Sequence, residues 1–270
     1  MPRWRRSGEA EPTAGDERER LDRFDRELRA AQRIQRVLVG LTETHLGEFD
    51  LAWDYEPARE IGGDFLDAFT ILEPDGRPSR RLGLVIADVT GKGISAALLM
   101  AFVRPIVRTA MDRSGSPIEA LERTNAILAT ERQTGLFVTV LCGIVDLGTG
   151  EVVLGNAGHE RPILVPADGS EPRWIEGGGP LVGAFPKLDL EPIRLRLGLG
   201  DRLLTYTDGV IDATSPVGER FGEARLLQAV RGSGPTPDDL VDAITSAVSA
   251  FRGAAEPADD LALLAVGRQG

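Results

Sequence analysis

Four stretches of this chain set an acidic residue beside glycine or a second acid at the edge of an apolar run: Glu60-Ile61-Gly62-Gly63-Asp64-Phe65, Ile86-Ala87-Asp88-Val89-Thr90-Gly91-Lys92-Gly93, Tyr206-Thr207-Asp208-Gly209 and Asp259-Asp260-Leu261. An apolar run that stops at an acid reads as a strand end, where a carboxylate faces a cleft while the sheet holds its backbone. A lone Asp-x-x-Gly is a turn or a helix cap; several in the same setting read as one oxygen-rich site assembled from separate strand ends. Ionised aspartate is a hard ligand that favours Mg²⁺ or Mn²⁺. The only histidines, His45 and His159, are far apart, which excludes a His-rich zinc site. Two divalent ions roughly 3.5–4 Å apart acidify a water and neutralise a phosphoryl group, so such a site needs no protein nucleophile. The single cysteine, Cys142, lies in an apolar run and has Gly148, not arginine, six residues on. It reads as a small core residue.

The elements that must position these acids are legible from periodicity. Met1 to Gly15 has none and is expected to be disordered. From Asp16 to about Val39 a charged segment carries one apolar stripe, Leu21, Phe24, Leu28, Ala31, Ile34 and Leu38, with Leu41 just beyond. That is a helix which packs on its own domain or pairs with a second copy, and both readings stand. Strands are expected at Phe49–Tyr55, Phe65–Leu72, Leu82–Asp88, Phe137–Val145, Val152–Leu154, Pro162–Val165, Ile193–Leu197, Arg202–Thr207 and Leu261–Val266. Helices are expected at 94–112, from Ser116-Pro117 to about Ala129, at Glu223–Val230 and at Pro237–Phe251. Ser95, Ala96, Ala97 and Ala101 would let the first of these lie close to a sheet, and Gly91 and Gly93 would let the chain turn tightly before it. Gly177 to Gly183 reads as a flexible loop. Strands come in antiparallel-looking pairs and helices in groups, which favours an α+β layered sandwich over a doubly wound parallel sheet.

Composition narrows the partners. With 270 residues, a net charge of −11 and a pI near 4.8, the chain lacks the basic face that binding a nucleic-acid backbone needs. No apolar run approaches the length of a membrane span and no signal-peptide core is present, so no membrane insertion is expected. One cysteine makes no internal disulfide, and a reducing cytoplasm fits best.

Taken together, Gly-Gly-Asp-Phe, Ala-Asp-Val-Thr-Gly-Lys-Gly-Ile-Ser-Ala-Ala-Leu, Asn-Ala-Gly-His, Tyr-Thr-Asp-Gly-Val-Ile-Asp-Ala and Asp-Asp-Leu-Ala-Leu-Leu resemble the PPM (PP2C-type) serine/threonine phosphatases. Within them the chain is most similar to the bacterial SpoIIE/RsbU branch, from about Ala31 to Val266, and Arg29 to Leu38 resembles the Ala-x-x-Ile-Gln-x-x-Leu helix that precedes the catalytic domain there. The resemblance implies an α-β-β-α sandwich of two antiparallel sheets with two Mn²⁺ or Mg²⁺ ions at one end. It implies that Asp88 bridges the ions, that the Val89 backbone carbonyl binds one, that Asp208 and Asp259 complete the second site, and that Asp64 binds the first directly or through water. All four aspartates would act through a metal-activated water. Asp260, next to Asp259, is easily confused with it. The domain division implied is a disordered 1–15, a regulatory or dimerisation helix over 16–45 and a phosphatase domain over 46–268. The substrate implied is phosphoserine or phosphothreonine on a STAS-type anti-sigma-factor antagonist, in a stress-response pathway that frees a sigma factor. An upstream regulator at the N-terminal helix, acting by shifting helix 94–112, and a homodimer are further expectations. The alternative is a catalytically weak PP2C-fold binding module.

Some residues carry two readings. Leu66 replaces a tyrosine frequent in that branch. Asp67 reads slightly better as a surface turn residue than as a support for the site. His159 reads as a structural hydrogen-bonding group, and Lys92 either attracts phosphate or is simply solvated. Gly62-Gly63-Asp64-Phe65 also resembles the Gly-Gly-Asp-Glu-Phe hairpin of diguanylate cyclases, but the glutamate is missing here.

Overall fold

A computed structural model describes residues 14–270 apart from 42, 74 and 131–136. The expectation of disorder for residues 1–13 lies outside the described residues, while Ala14 and Gly15 already belong to the first helix, α1 (Ala14–Leu38). There follow β1 (His45–Leu46), β2 (Phe49–Glu56), β3 (Phe65–Leu72), β4 (Pro78–Val89), α2 (Ile94–Ser114), α3 (Pro117–Thr130), β5 (Val138–Asp146) and β6 (Glu151–Ala157). The chain continues through β7 (Ile163–Val165), β8 (Arg173–Trp174), β9 (Ile193–Arg196), β10 (Arg202–Tyr206), α4 (Gly209–Asp212), α5 (Gly222–Arg231), α6 (Pro237–Arg252) and β11 (Leu261–Arg268).

One sheet has the order β1-β2-β11-β10-β7-β8 and the other β3-β4-β5-β6-β9, with every strand pairing antiparallel. Helices α2 and α3 cover the second sheet and α6 the first, giving the expected α-β-β-α sandwich. Central strands are therefore covered on both faces: β10 is buried at every position and β4 without interruption from Leu82 to Ala87. Edge strand β9 alternates between half-buried and exposed residues. Leu84, Ile86, Leu141 and Leu203 belong to the core between the sheets and under α2, whereas Leu204, Tyr206, Ile244 and Leu263 form a second core under α5 and α6.

Several local expectations change. Asp67 is not a surface turn residue but is buried within β3, where its carboxylate meets Arg104 at 3.0 Å and Arg108 at 3.3 Å from α2. The reason is that β3 also packs on both faces, so its acid falls beneath the helix. Of Ser95, Ala96, Ala97 and Ala101, only Ala96 is buried; Ala97 and Ala101 instead line a groove facing α1. By length and composition α2 could cross a membrane, but Leu99, Val103, Val107 and Met111 are buried as it packs against β3 and β4. The glycine loop is pinned: Gly179 N–H donates to the Asn156 carbonyl at 3.0 Å, Val182 pairs with Val138, and Gly183 N–H donates to Asn125 Oδ1 at 2.8 Å. The α1 stripe divides. Leu28, Ala31 and Leu38 are half-buried, while Leu21 and Phe24 stay 60% and 51% exposed.

Candidate active site

The acids come together because antiparallel pairing aligns their strand ends. Phe65 pairs with Ala87, which sets Asp64, just before β3, against Asp88 near the end of β4. Tyr206 pairs with Leu263, which sets Asp208, just beyond β10, beside the start of β11. Thr207 stitches that corner: its N–H donates to the Ala262 carbonyl at 3.1 Å and its hydroxyl accepts from Ala262 N–H at 2.9 Å. Gly91 and Gly93, at φ 104° and 72°, carry the chain from β4 into α2; a Cβ on either would meet nothing within 4 Å, so glycine serves the backbone conformation there and not packing.

The neighbouring acids Asp259 and Asp260 have opposite tasks. Asp260 is buried and accepts from Ala58 N–H at 2.8 Å, Gly63 N–H at 2.6 Å and Asp64 N–H at 3.4 Å. It thereby ties the turn before β3 to the start of β11. Asp259 is 38% exposed, and its Oδ2 lies 2.9 Å from the Lys92 ammonium, which also donates to the Ala258 carbonyl at 2.6 Å. Lys92 is thus neither free for phosphate nor merely solvated. Gly63 has no room for a side chain, since a Cβ would lie 2.9 Å from Ala96 Cβ and 3.0 Å from the Val89 carbonyl oxygen.

The electrostatics follow from this crowding. Burial, then the charges of Asp88 and Asp260, hold the Asp64 carboxyl well above the usual range, with a Thr207 hydrogen bond opposing them. Asp88 is raised chiefly by burial, with the Asp259 and Asp260 charges adding and an Asp64 hydrogen bond and Lys92 opposing. Asp208 is pushed up to about 7 by burial and then by Asp88 and Asp259. Asp64 Oδ2 is buried without a hydrogen-bond partner among the described residues. Carboxylates that raise one another and leave a buried oxygen unpaired are a donor set a hard divalent cation would satisfy. As the side chains stand, no group of three His, Cys, Asp or Glu among the described residues forms a closed metal cage, and Asp259 is turned to Lys92.

His159 is structural in its contacts. Its N–H donates to Asn156 Oδ1 at 2.8 Å, Nδ1 lies 2.7 Å from the Thr139 hydroxyl, and burial lowers its pKa to about 3. Burial raises the Cys142 thiol, as befits a core residue. Sequence reasoning noted Gln35 only as the glutamine of the Ala-x-x-Ile-Gln-x-x-Leu resemblance and gave it no role, although its carboxamide reaches the backbone of Gly62; it gave none to Tyr55 either, whose hydroxyl sits against the same turn. The available signals for Gln35 were its place in that motif and a polar residue inside the spacing of Leu28, Ala31 and Leu38.

Comparison with known proteins agrees with this architecture. The SiaA-PP2C domain of Pseudomonas aeruginosa superposes with a TM-score of 0.77 at 20% identity, covering 91% of this chain and 97% of that one. Protein IcfG of Synechocystis sp. is 29% identical over 269 residues, 90% of this chain and 41% of its own length. The phosphoserine phosphatase RsbP of Bacillus subtilis is 27% identical over 195 residues, 70% of this chain and 46% of its own. The chain thus spans less than half the length of IcfG and of RsbP. The model of the SpoIIE family (Stage II sporulation protein E) matches residues 78–269, a span that holds Asp88, Asp208 and Asp259 and leaves out α1 and Asp64. The chain belongs to the SpoIIE family, a PP2C-type phosphatase family that the sequence motifs had indicated.

Proposed function

We propose that this protein is a Mn²⁺- or Mg²⁺-dependent phosphatase of phosphoserine and phosphothreonine in proteins. The observation that carries the reading is the convergence of Asp64, Asp88 and Asp208 at one end of both sheets, each with its pKa raised by burial and by like charge. In this reading Asp88 would be the central ligand for two cations, Asp64 (directly or through water) and the Val89 carbonyl would serve on one side, and Asp208 and Asp259 on the other. When bound, such ions supply an acidified water and neutralise charge on the phosphoryl group. The chain's own work is to present the ligands: strand ends fix Asp64 and Asp88 and Asp260 secures the turn, while Asp259 would have to leave Lys92 to join them, which would put the Lys92 ammonium at hand for the substrate's negative charge.

The substrate class we propose is a phosphorylated STAS-type anti-sigma-factor antagonist, supported by the likeness to RsbP and by an acidic chain that offers nucleic acid no basic face. In this reading residues 46–268 are the catalytic domain and 16–45, most of it helix α1, a regulatory or dimerisation segment, in a cytoplasmic protein. Assay of the purified protein on phosphoserine antagonists, with Mn²⁺ and with EDTA, tests this. Metal-dependent phosphate release is expected, and Asp88→Asn should lower it by more than about 100-fold, beyond the cost of outer-shell changes. No release, with Asp88→Asn indistinguishable from wild type, would mark a silent binding module instead.

A further inference from the structure

We propose that Gln35 is a positioning residue for the metal-ligand turn, through which helix α1 sets the affinity of the site for its cations. The inference rests on the phosphatase reading above and concerns a residue outside the acidic set. Gln35 is 6% exposed, the one buried side chain among the described residues of α1. Its Nε2 donates to the Gly62 carbonyl at 2.6 Å and its Oε1 accepts from Gly62 N–H at 3.0 Å. A single carboxamide thus satisfies both backbone groups of a buried residue that forms no strand, two positions before Asp64. On the far side Asp260 holds Gly63. A Cβ on Gly62 would collide with the Asp260 carboxylate and the Tyr55 hydroxyl, so the turn has no slack in that direction.

The turn is therefore gripped from two sides, by Asp260 immediately before the sheet strand β11 and by helix α1. The preceding turns of that helix carry Leu21 and Phe24 into solvent. Any displacement of α1 withdraws the partners of Gly62 N–H and C=O together, leaving two buried polar groups unpaired and Asp64 less firmly placed. The coupling needs no movement of α2.

The test uses the full chain and Mn²⁺ alone as probe. Gln35→Met keeps the volume and removes both hydrogen bonds; Gln35→Glu keeps the acceptor for Gly62 N–H; Val37→Ala, on the exposed side of α1, is the control. Calorimetric titration should show Mn²⁺ affinity weakened by roughly tenfold or more in Gln35→Met, with a smaller loss in Gln35→Glu and none in Val37→Ala. Amide exchange at Gly62–Asp64 should accelerate in the metal-free Gln35→Met protein, and turnover should return towards wild type at saturating Mn²⁺. If Gln35→Met does not fold, Gln35→Glu decides alone. Unchanged Mn²⁺ affinity in the folded variants overturns the inference, even when their thermal stability falls. A wild type that binds Mn²⁺ but releases no phosphate overturns the phosphatase reading instead and leaves the Gln35 comparison intact.

Discussion

At the scale of single residues, the carboxylates create a pH dependence whose sign follows first from their burial and then from neighbouring like charge. Asp208 titrates near its ordinary 3.8 when unfolded and at about 7 when folded. Between these values the folded protein binds more protons, so the contribution is present in full below the lower value and is lost as pH rises through the upper one. Asp64 and Asp88 shift in the same direction. His159, lowered from 6.5 to about 3, works oppositely, adding stability as pH rises over that interval. The informative quantity is therefore a difference. In EDTA, Asp208→Asn should gain melting temperature relative to wild type as pH goes from 5 to 7.5, measured by calorimetry across the series. A difference that stays flat or reverses contradicts the placement of Asp208 in a buried site beside like charges. Much of this residue-level picture was legible, because an acid beside glycine at a strand end is a local signal. The choice between Asp259 and Asp260 was not. Adjacent residues point to different sides, and only the tertiary position of the turn at Gly63 decides which carboxylate is buried beneath it.

At the scale of elements, α2 is fastened to the second sheet by an ion pair as well as by apolar packing. The Asp67 side chain is 3% exposed and that of Arg104 18%, so removing the acid strands a largely buried guanidinium. Asp67→Ala should cost about 3–5 kcal/mol in urea unfolding. Arg108, 42% exposed and stacked on the Phe69 ring, contributes less, and Arg108→Ala should cost no more than about 1 kcal/mol beyond its lost stacking. Near-equal costs would show that the buried pair is not what anchors the helix. Strand and helix positions followed from periodicity to within a few residues, for β3 without error. What periodicity does not reveal is a charge buried under a neighbouring helix, because Asp67 keeps an ordinary place in its own strand. Nor does it find the two-residue strands β1 and β8 or the four-residue α4, which exist only through the neighbours they pair or pack with.

At the scale of the whole molecule, α1 and α2 leave an apolar groove lined by Phe24, Leu28, Ile34, Ile94 and Leu98, with Phe24 51% and Leu98 68% exposed. Together with Leu21 and Phe102 this is more clustered apolar surface than isolated exposed residues explain. We expect it to be covered by a second copy, so the full chain should sediment as a dimer and Phe24→Asp with Leu98→Asp as a monomer. A monomeric wild type at high micromolar concentration would leave α1 packing only on its own domain. The bond from Asp260 to Gly63 has a consequence for biogenesis. Its ends are 197 positions apart, and the strand beside Asp260 must slot between β2 and β10 before that bond exists. Closing so long a loop is slow compared with making local helices. Until synthesis has passed Asp260 and β11, the turn at Gly63 therefore lacks its carboxylate clamp and the acids stay unassembled.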